Sequence, residues 1–100
     1  MGRIQGLSEL PFGPGDVLVR SGPGYLFSIT VSWAGAAAGD KLTIRDGTDS
    51  SAPFMVPIVL ESANGTWSRE WSNGKSFTNG LFLDLQSGSG AQVQGEVTFK

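Results

Sequence analysis

The most constraining feature of the chain is the alternation of side-chain character over residues 25–33, which read YLFSITVSW. One side of a two-residue period carries only large apolar residues: Tyr25, Phe27, Ile29, Val31 and Trp33. The positions between them are mostly small and polar. Because successive side chains of a β-strand point to opposite faces, the pattern predicts a strand with one face on a core and one toward water.

Several later segments repeat this logic and predict an all-β domain. Further strands are expected over residues 16–20, 40–46, 54–60, 66–71, 81–85 and 91–100, between turns rich in glycine. Pro57 lies within one of them and indicates an edge position or a bulge, since proline cannot donate to a ladder. Asn64 and Gly65 predict a two-residue hairpin turn, and residues 72–80 a loop. About seven to eight strands at this spacing are typical of an antiparallel β-sandwich or jelly-roll-like fold.

The predicted sandwich is a single domain over residues 16–100. Its core is expected to combine the apolar side of residues 25–33 with Leu42, Ile44, Leu83, Leu85, Val97 and Phe99. Residues 1–15 differ, because glycines and prolines interrupt them too often for a strand and they are too short for a stable helix. They predict an extended N-terminal arm. Its apolar side chains Ile4, Leu7, Leu10 and Phe12 are expected to dock on another protein, so that removing residues 2–12 would leave the domain folded.

Composition narrows the range of chemistry. The chain has neither cysteine nor histidine, which excludes disulfides, thiol nucleophiles, the usual general base and the commonest zinc ligand. Its seven basic residues are scattered and the net charge is −2, so nucleic acid is not an expected partner. No secretion signal and no membrane span are visible. We therefore expect no enzyme activity, no catalytic residue, no metal and no cofactor.

Acidic residues offer two weak alternatives. Asp46 and Asp49 lie on one turn and superficially resemble a calcium loop, but the further ligands of an EF-hand are missing. The simpler interpretation is an Asp-Gly turn in which aspartate caps backbone amides. A glycosidase pair would need two of Glu61, Glu70 and Asp84 to face each other at a suitable separation.

Aromatic residues give a stronger indication of binding. Trp67 and Trp71 fall on one face of a predicted strand, with Arg69 between them. They form either a solvent-facing row that binds sugar rings or protein, or part of the core with Arg69 reaching to the rim. Phe82 is expected to point to the other face of its strand from the leucines at positions 81, 83 and 85. One apolar side chain on that face therefore needs a further contact to cover it.

Four motifs in order resemble a group of small tailed-phage virion proteins. They are a G-x-L-x-x-I strand, an L-x-I-x-D-G-T segment, a G-L-x-x-x-L strand and a terminal V-T strand. The matching residues are Gly24, Leu26 and Ile29, then Leu42, Ile44, Asp46, Gly47 and Thr48, then Gly80, Leu81 and Leu85, and finally Val97 and Thr98. The resemblance spans about residues 20–100. The tryptophans at 67 and 71 have no counterpart in the group.

The resemblance implies a structural protein of the virion, most specifically a capsid decoration or cement subunit. The implied partners are the major capsid protein and further copies of the chain, as a dimer or trimer, and the implied locations are the capsid surface and, during assembly, the host cytoplasm. Two alternatives stay open. One is another head-tail or tail component, and the other is a carbohydrate-binding module for host adhesion that uses Trp67 and Trp71.

Overall fold

The computed structural model describes residues 8–13, 15–60, 62–87 and 90–100, and these ranges contain eight strands and no helix. The strands are β1 Ser8–Phe12, β2 Val17–Ser21, β3 Gly24–Ala34, β4 Lys41–Arg45, β5 Phe54–Val59, β6 Gly65–Phe77, β7 Gly80–Gln86 and β8 Gln92–Phe99. Accordingly, the described part of the chain has no helix long and apolar enough to cross a membrane.

The strands form two four-stranded antiparallel sheets. Sheet A has the order β1-β8-β3-β6 and sheet B the order β2-β7-β4-β5. Only the connection between β4 and β5 joins neighbours within one sheet, and every other connection crosses to the opposite sheet. This is the strand order of an eight-stranded jelly roll, so the predicted antiparallel β-sandwich is confirmed.

The core lies between the two sheets and draws on both. Sheet A contributes Phe12, Leu26, Ile29, Val31, Trp33, Phe77, Val93 and Val97, and sheet B contributes Leu42, Ile44, Val56, Ile58, Leu81 and Leu83. Two predicted core residues, Leu85 and Phe99, are half-buried and pack against this cluster. The two inner faces therefore interdigitate as expected for stacked sheets.

A β-bulge in β3 corrects the predicted orientation of its first residues. The register shifts between Leu26 and Ser28 against both neighbouring strands. Phe27 is the extra residue relative to β8, whereas on the other side β6 carries the extra residues, 71–74. An extra residue reverses the phase of the alternation. Leu26, predicted to face outward, is completely buried, whereas Tyr25, predicted to face the core, is 49% exposed.

The predicted arm of residues 1–15 is wrong for Ser8–Phe12. These residues form β1, which pairs with β8 from Ser8 opposite Phe99 to Phe12 opposite Gly95. Phe12 belongs to the core and Leu10 packs against it. The favourable burial of these side chains outweighs the poor strand propensity of the segment. Ile4 and Leu7 lie outside the described residues.

Two turn predictions near β6 are also wrong. Asn64 and Gly65 do not close a hairpin, because β5 belongs to sheet B and β6 to sheet A. The crossing segment is instead held by Trp33, whose Nε1 donates to the carbonyl oxygen of Ser62 at 2.9 Å. Residues 72–80 are not a loop, since β6 continues to Phe77. Pro57 lies on β5, an edge strand of sheet B, as predicted.

Candidate functional site

The outer face of sheet B carries a row of side chains across its four strands, and three of the four are apolar. Leu18 on β2 pairs with Phe82 on β7, Phe82 with Arg45 on β4, and Arg45 with Phe54 on β5. Leu18 is 47% exposed and Phe54 is 66% exposed, while Phe82 is half-buried between its neighbours. We call Leu18, Phe82 and Phe54 the sheet B patch.

Arg45 is fixed within this patch. Its Nε donates to Oδ2 of Asp84 at 2.8 Å, and its Nη1 donates to the carbonyl oxygen of Ala52 at 2.8 Å. Both side chains of the ion pair are largely buried. Because the guanidinium is already paired, it fills space between Phe82 and Phe54 instead of presenting a free charge.

The outer face of sheet A is chemically different. The residues that face outward from β8, from β3 beyond its bulge and from the first part of β6 are mostly polar: Ser28, Thr30, Ser32, Thr66, Ser68, Glu70, Gln92, Gln94, Glu96 and Thr98. Ser28 and Thr98 share a hydrogen bond between their hydroxyl groups. Exposed apolar area therefore distinguishes the face of sheet B from this polar part of the face of sheet A.

Trp67 and Trp71 lie at the side of the sandwich where β6 is the edge of sheet A. Both are half-buried against the core, and Trp67 pairs with the buried Val31. Arg69 is exposed, with its Cζ 5.1 Å from the centre of the Trp71 ring. The tryptophans thus cover the opening between the sheets, which places them closer to the core interpretation than to a free stacking row.

An aromatic groove of about 480 Å³ lies at the opposite end of β3. It is lined by Pro23, Gly24, Tyr25, Phe27, Asn73 and Lys100. The rings of Tyr25 and Phe27 are 6.5 Å apart and tilted by 48°. Gly74 has φ +80°, and a Cβ there would lie 3.0 Å from Phe27, so a glycine under the ring keeps this groove open. The sequence pattern did not indicate it, since both aromatic residues were predicted to face the core.

The two described carboxylates of the glycosidase alternative, Glu70 and Asp84, do not meet. Glu70 pairs with Ser28 on the outer face of sheet A, whereas Asp84 bonds Arg45 on the outer face of sheet B. The thickness of the sandwich therefore separates them, and Glu61 lies outside the described residues. Within the described ranges there is also no group of three acidic side chains that could hold a metal ion.

Asp46 and Asp49 cap backbone amides, as the turn interpretation predicted. Asp46 Oδ1 accepts from the amides of Thr78 at 3.0 Å, Asn79 at 2.8 Å and Gly80 at 3.4 Å. Asp49 Oδ1 accepts from the amide of Ser51 at 2.9 Å. The D-G-T motif thus ties the end of β4 to the turn between β6 and β7.

This capping makes the stability of the fold depend on pH. Burial raises the pKa of Asp46, but the backbone amides of Asn79, Thr78 and Gly80 outweigh burial and hold that pKa below the ordinary value of 3.8. A carboxyl group with a lowered pKa in the folded state stabilises the fold above its ordinary pKa and loses that contribution as the pH falls through the lowered pKa. We expect Asp46→Asn to lower the free energy of unfolding by about 1–2 kcal/mol near neutral pH, because the backbone amides lose a charged acceptor. The partial exposure of the side chain to solvent limits the loss to this size.

Urea unfolding of the wild type and Asp46→Asn, from neutral pH to about pH 2.5, measures this effect. The difference between the two proteins should shrink as the solution is acidified below the ordinary pKa. Glu96→Gln, which changes an exposed carboxylate on the outer face of sheet A, is the control. A difference that stays constant over the whole range would show that the charge of Asp46 is not what stabilises the turn.

Sequence reasoning identified Phe82 but missed the rest of the sheet B patch. Leu18 lies out of phase with Val17 and Val19, and Phe54 begins a segment that is apolar on both faces. Apolar residues at outward positions of two separate strands were the available signal.

Comparison with known proteins adds no relative: no protein-family model matches the chain, and no curated protein matches its sequence.

Proposed function

We propose that this chain is a structural subunit of a tailed-phage virion, and specifically a decoration subunit that attaches to the capsid surface through protein contacts. The sheet B patch is the observation that carries the proposal. The resemblance of residues 20–100 to small virion proteins supplies the class of partner, the major capsid protein. Jelly rolls serve many functions, so the fold alone does not favour this role.

Burial of the sheet B patch against another protein would be energetically favourable. Burying a large apolar side chain completely is worth about 1.5–3 kcal/mol, and both Leu18 and Phe54 have roughly half or more of their surface left to bury. Arg45 adds no desolvation cost of an unpaired charge, since Asp84 already pairs with it. The patch can therefore lose contact with water without leaving a buried charge uncompensated.

The size of the face indicates that one copy binds weakly. Four strands about 4.8 Å apart and roughly 17–20 Å long cover an area on the order of 350 Å². Stable complexes bury about 800 Å² on each partner. Several linked copies that contact the capsid lattice together bind more tightly than one copy alone. This is consistent with the self-association implied by the resemblance.

The test is attachment to heads of the phage that encodes the chain. We expect the wild type to co-sediment with heads at roughly hundreds of copies, and the double variant Leu18→Ser, Phe54→Ser to lose at least about tenfold in occupancy while folding normally. Thr30→Ala with Gln94→Ala, on the outer face of sheet A, is the matched control. Equal occupancy of both double variants would contradict the role of the sheet B patch.

Other outcomes would support the alternatives. Roughly six or twelve copies per particle would indicate a neck or tail component. A chain that ignores heads but binds a glycan array would indicate an adhesion module. In that case the aromatic groove is the better candidate than Trp67 and Trp71, and Tyr25→Ala should abolish the binding.

A further inference from the structure

β6 is the longest strand of the fold and pairs on one side only. Its thirteen residues bond to β3, and among the described residues no strand pairs its other side. The remaining three edge strands have five or six residues each. Each also carries a feature that blocks further pairing: Pro11 in β1, the register shift after Leu18 in β2, and Pro57 in β5.

We propose that the free edges of β6 from two copies of this chain pair in antiparallel fashion about a two-fold axis at Ser68. The two A sheets then form one continuous eight-stranded sheet. The inference rests on the edge strand alone and does not depend on the capsid role. A two-fold axis makes the same edge self-complementary, as a symmetric dimer requires.

Strand geometry and charge restrict the possible registers, and the contact between Trp67 and Arg69 favours this one. Residues directly opposite each other in an antiparallel pair share a face, so a two-fold axis perpendicular to the sheet passes midway between one residue and the same residue of the second copy. An axis at Arg69 or at Glu70 would set two like charges opposite each other, which is destabilising. An axis at Ser68 places Thr66 opposite Glu70 and Trp67 opposite Arg69 of the second copy.

The same axis also uses the regular part of the strand. Residues 65–70 pair continuously with β3, whereas residues 71–74 have no opposite partner there and Gly74 turns the backbone at φ +80°. Ser68 lies beside the centre of residues 65–70. Only the outermost pair, Gly65 with Trp71 of the second copy, reaches one residue beyond this regular part, so the pairing avoids Gly74.

Side chains at this edge gain from the pairing. Trp67 is half-buried and borders a groove of about 350 Å³ together with Pro57, Val59 and Ser62. The register brings an Arg69 guanidinium of the second copy to each Trp67, and a guanidinium on a tryptophan face is favourable, more so when it is shielded from water. The pairing also covers the exposed backbone edge of β6 with the same strand of the second copy.

Two substitutions at one exposed position test the register by opposite effects. Thr66→Glu would face Glu70 of the second copy, and Thr66→Lys would form an opposite-charge pair with it. Because each dimer contains the pair twice, we expect Thr66→Glu to raise the dimer dissociation constant about tenfold and Thr66→Lys to lower it by several-fold. Analytical ultracentrifugation at low ionic strength measures both, and circular dichroism checks that each variant folds.

Cross-linking gives a second, independent test. The chain has no cysteine, so Ser68→Cys introduces a single thiol that would lie about 4.5–5.5 Å, Cβ to Cβ, from its counterpart, close to disulfide geometry. Thr30→Cys is the control, since β3 is paired on both sides. We expect mild oxidation to link Ser68→Cys rapidly and Thr30→Cys slowly.

Three results would overturn the inference: a wild-type chain that stays monomeric up to about 100 μM, equal effects of the two Thr66 substitutions, or equal cross-linking rates of the two cysteine variants. Occupancy on heads is measured separately with the sheet B patch variants. A failed dimer and a failed capsid role are therefore distinguishable.

Discussion

Gly95→Ala is expected to be among the most destabilising single substitutions in the fold. Gly95 lies in the middle of β8, between Phe12 on β1 and Val31 on β3. A Cβ at this position would overlap the carbonyl oxygen of Thr30 and would lie 3.0 Å from Cζ of Phe12. Because the first obstacle is backbone, the two strands must separate to make room. We expect a loss of at least about 3 kcal/mol in the free energy of unfolding, a large part of a small domain's stability.

Thermal and urea unfolding, followed by tryptophan fluorescence and circular dichroism, measure this loss. Gly13→Ala is the matched control, since a Cβ there has no neighbour within 4 Å, and it should change stability by less than about 0.5 kcal/mol. A Gly95→Ala variant as stable as this control would mean that β8 and β3 are not as close as the structure places them.

Phe12→Ala is expected to lower the free energy of unfolding by about 3–5 kcal/mol. The Phe12 ring is 8% exposed and occupies the space beside Gly95 that a side chain would otherwise fill. Removing the ring leaves a cavity in the core and loosens β1 from β8. Amide hydrogen exchange should locate the damage, with protection lost in β8 as well as in β1.

This substitution separates the two views of the N-terminal segment. A docking arm would tolerate Phe12→Ala without loss of stability and would lose only attachment to a partner. Leu10→Ala is the graded control, because Leu10 is only partly buried, and it should cost less than Phe12→Ala. Unchanged stability of both variants would restore the arm and contradict the pairing of β1.

The parts of the fold that were predictable from sequence are those in which local alternation and burial agree. The inward positions of β8, the leucines of β7 and the edge position of Pro57 all follow from a period of two or from the chemistry of proline. The Asp49 cap was predictable, because an aspartate in such a turn accepts from the backbone amide two residues on, which is that of Ser51. At these positions the local sequence pattern and the observed burial indicate the same structure, a half-buried strand.

The features that escaped prediction depend on partners distant in sequence. The bulge at Phe27 has no local signal, since YLFSITVSW alternates regularly through it, and only the register with β6 and β8 reveals the change of phase. β1 is a strand because Gly95 leaves space for Phe12, more than eighty positions away. The sheet B patch emerged only when four strands were placed side by side, as did the separation of Glu70 from Asp84.

The order of strands in sheet A bears on how the chain folds as it is made. β8 is the last of the eight strands along the chain, yet it lies between β1 and β3 and joins them. Until those eight residues leave the ribosome, β1 has no strand to pair with and sheet A cannot form completely. Folding dominated by such remote pairings is slow. The apolar strands of the nascent chain therefore stay exposed until β8 is synthesised, and binding of a holdase chaperone would protect them from aggregation during that time.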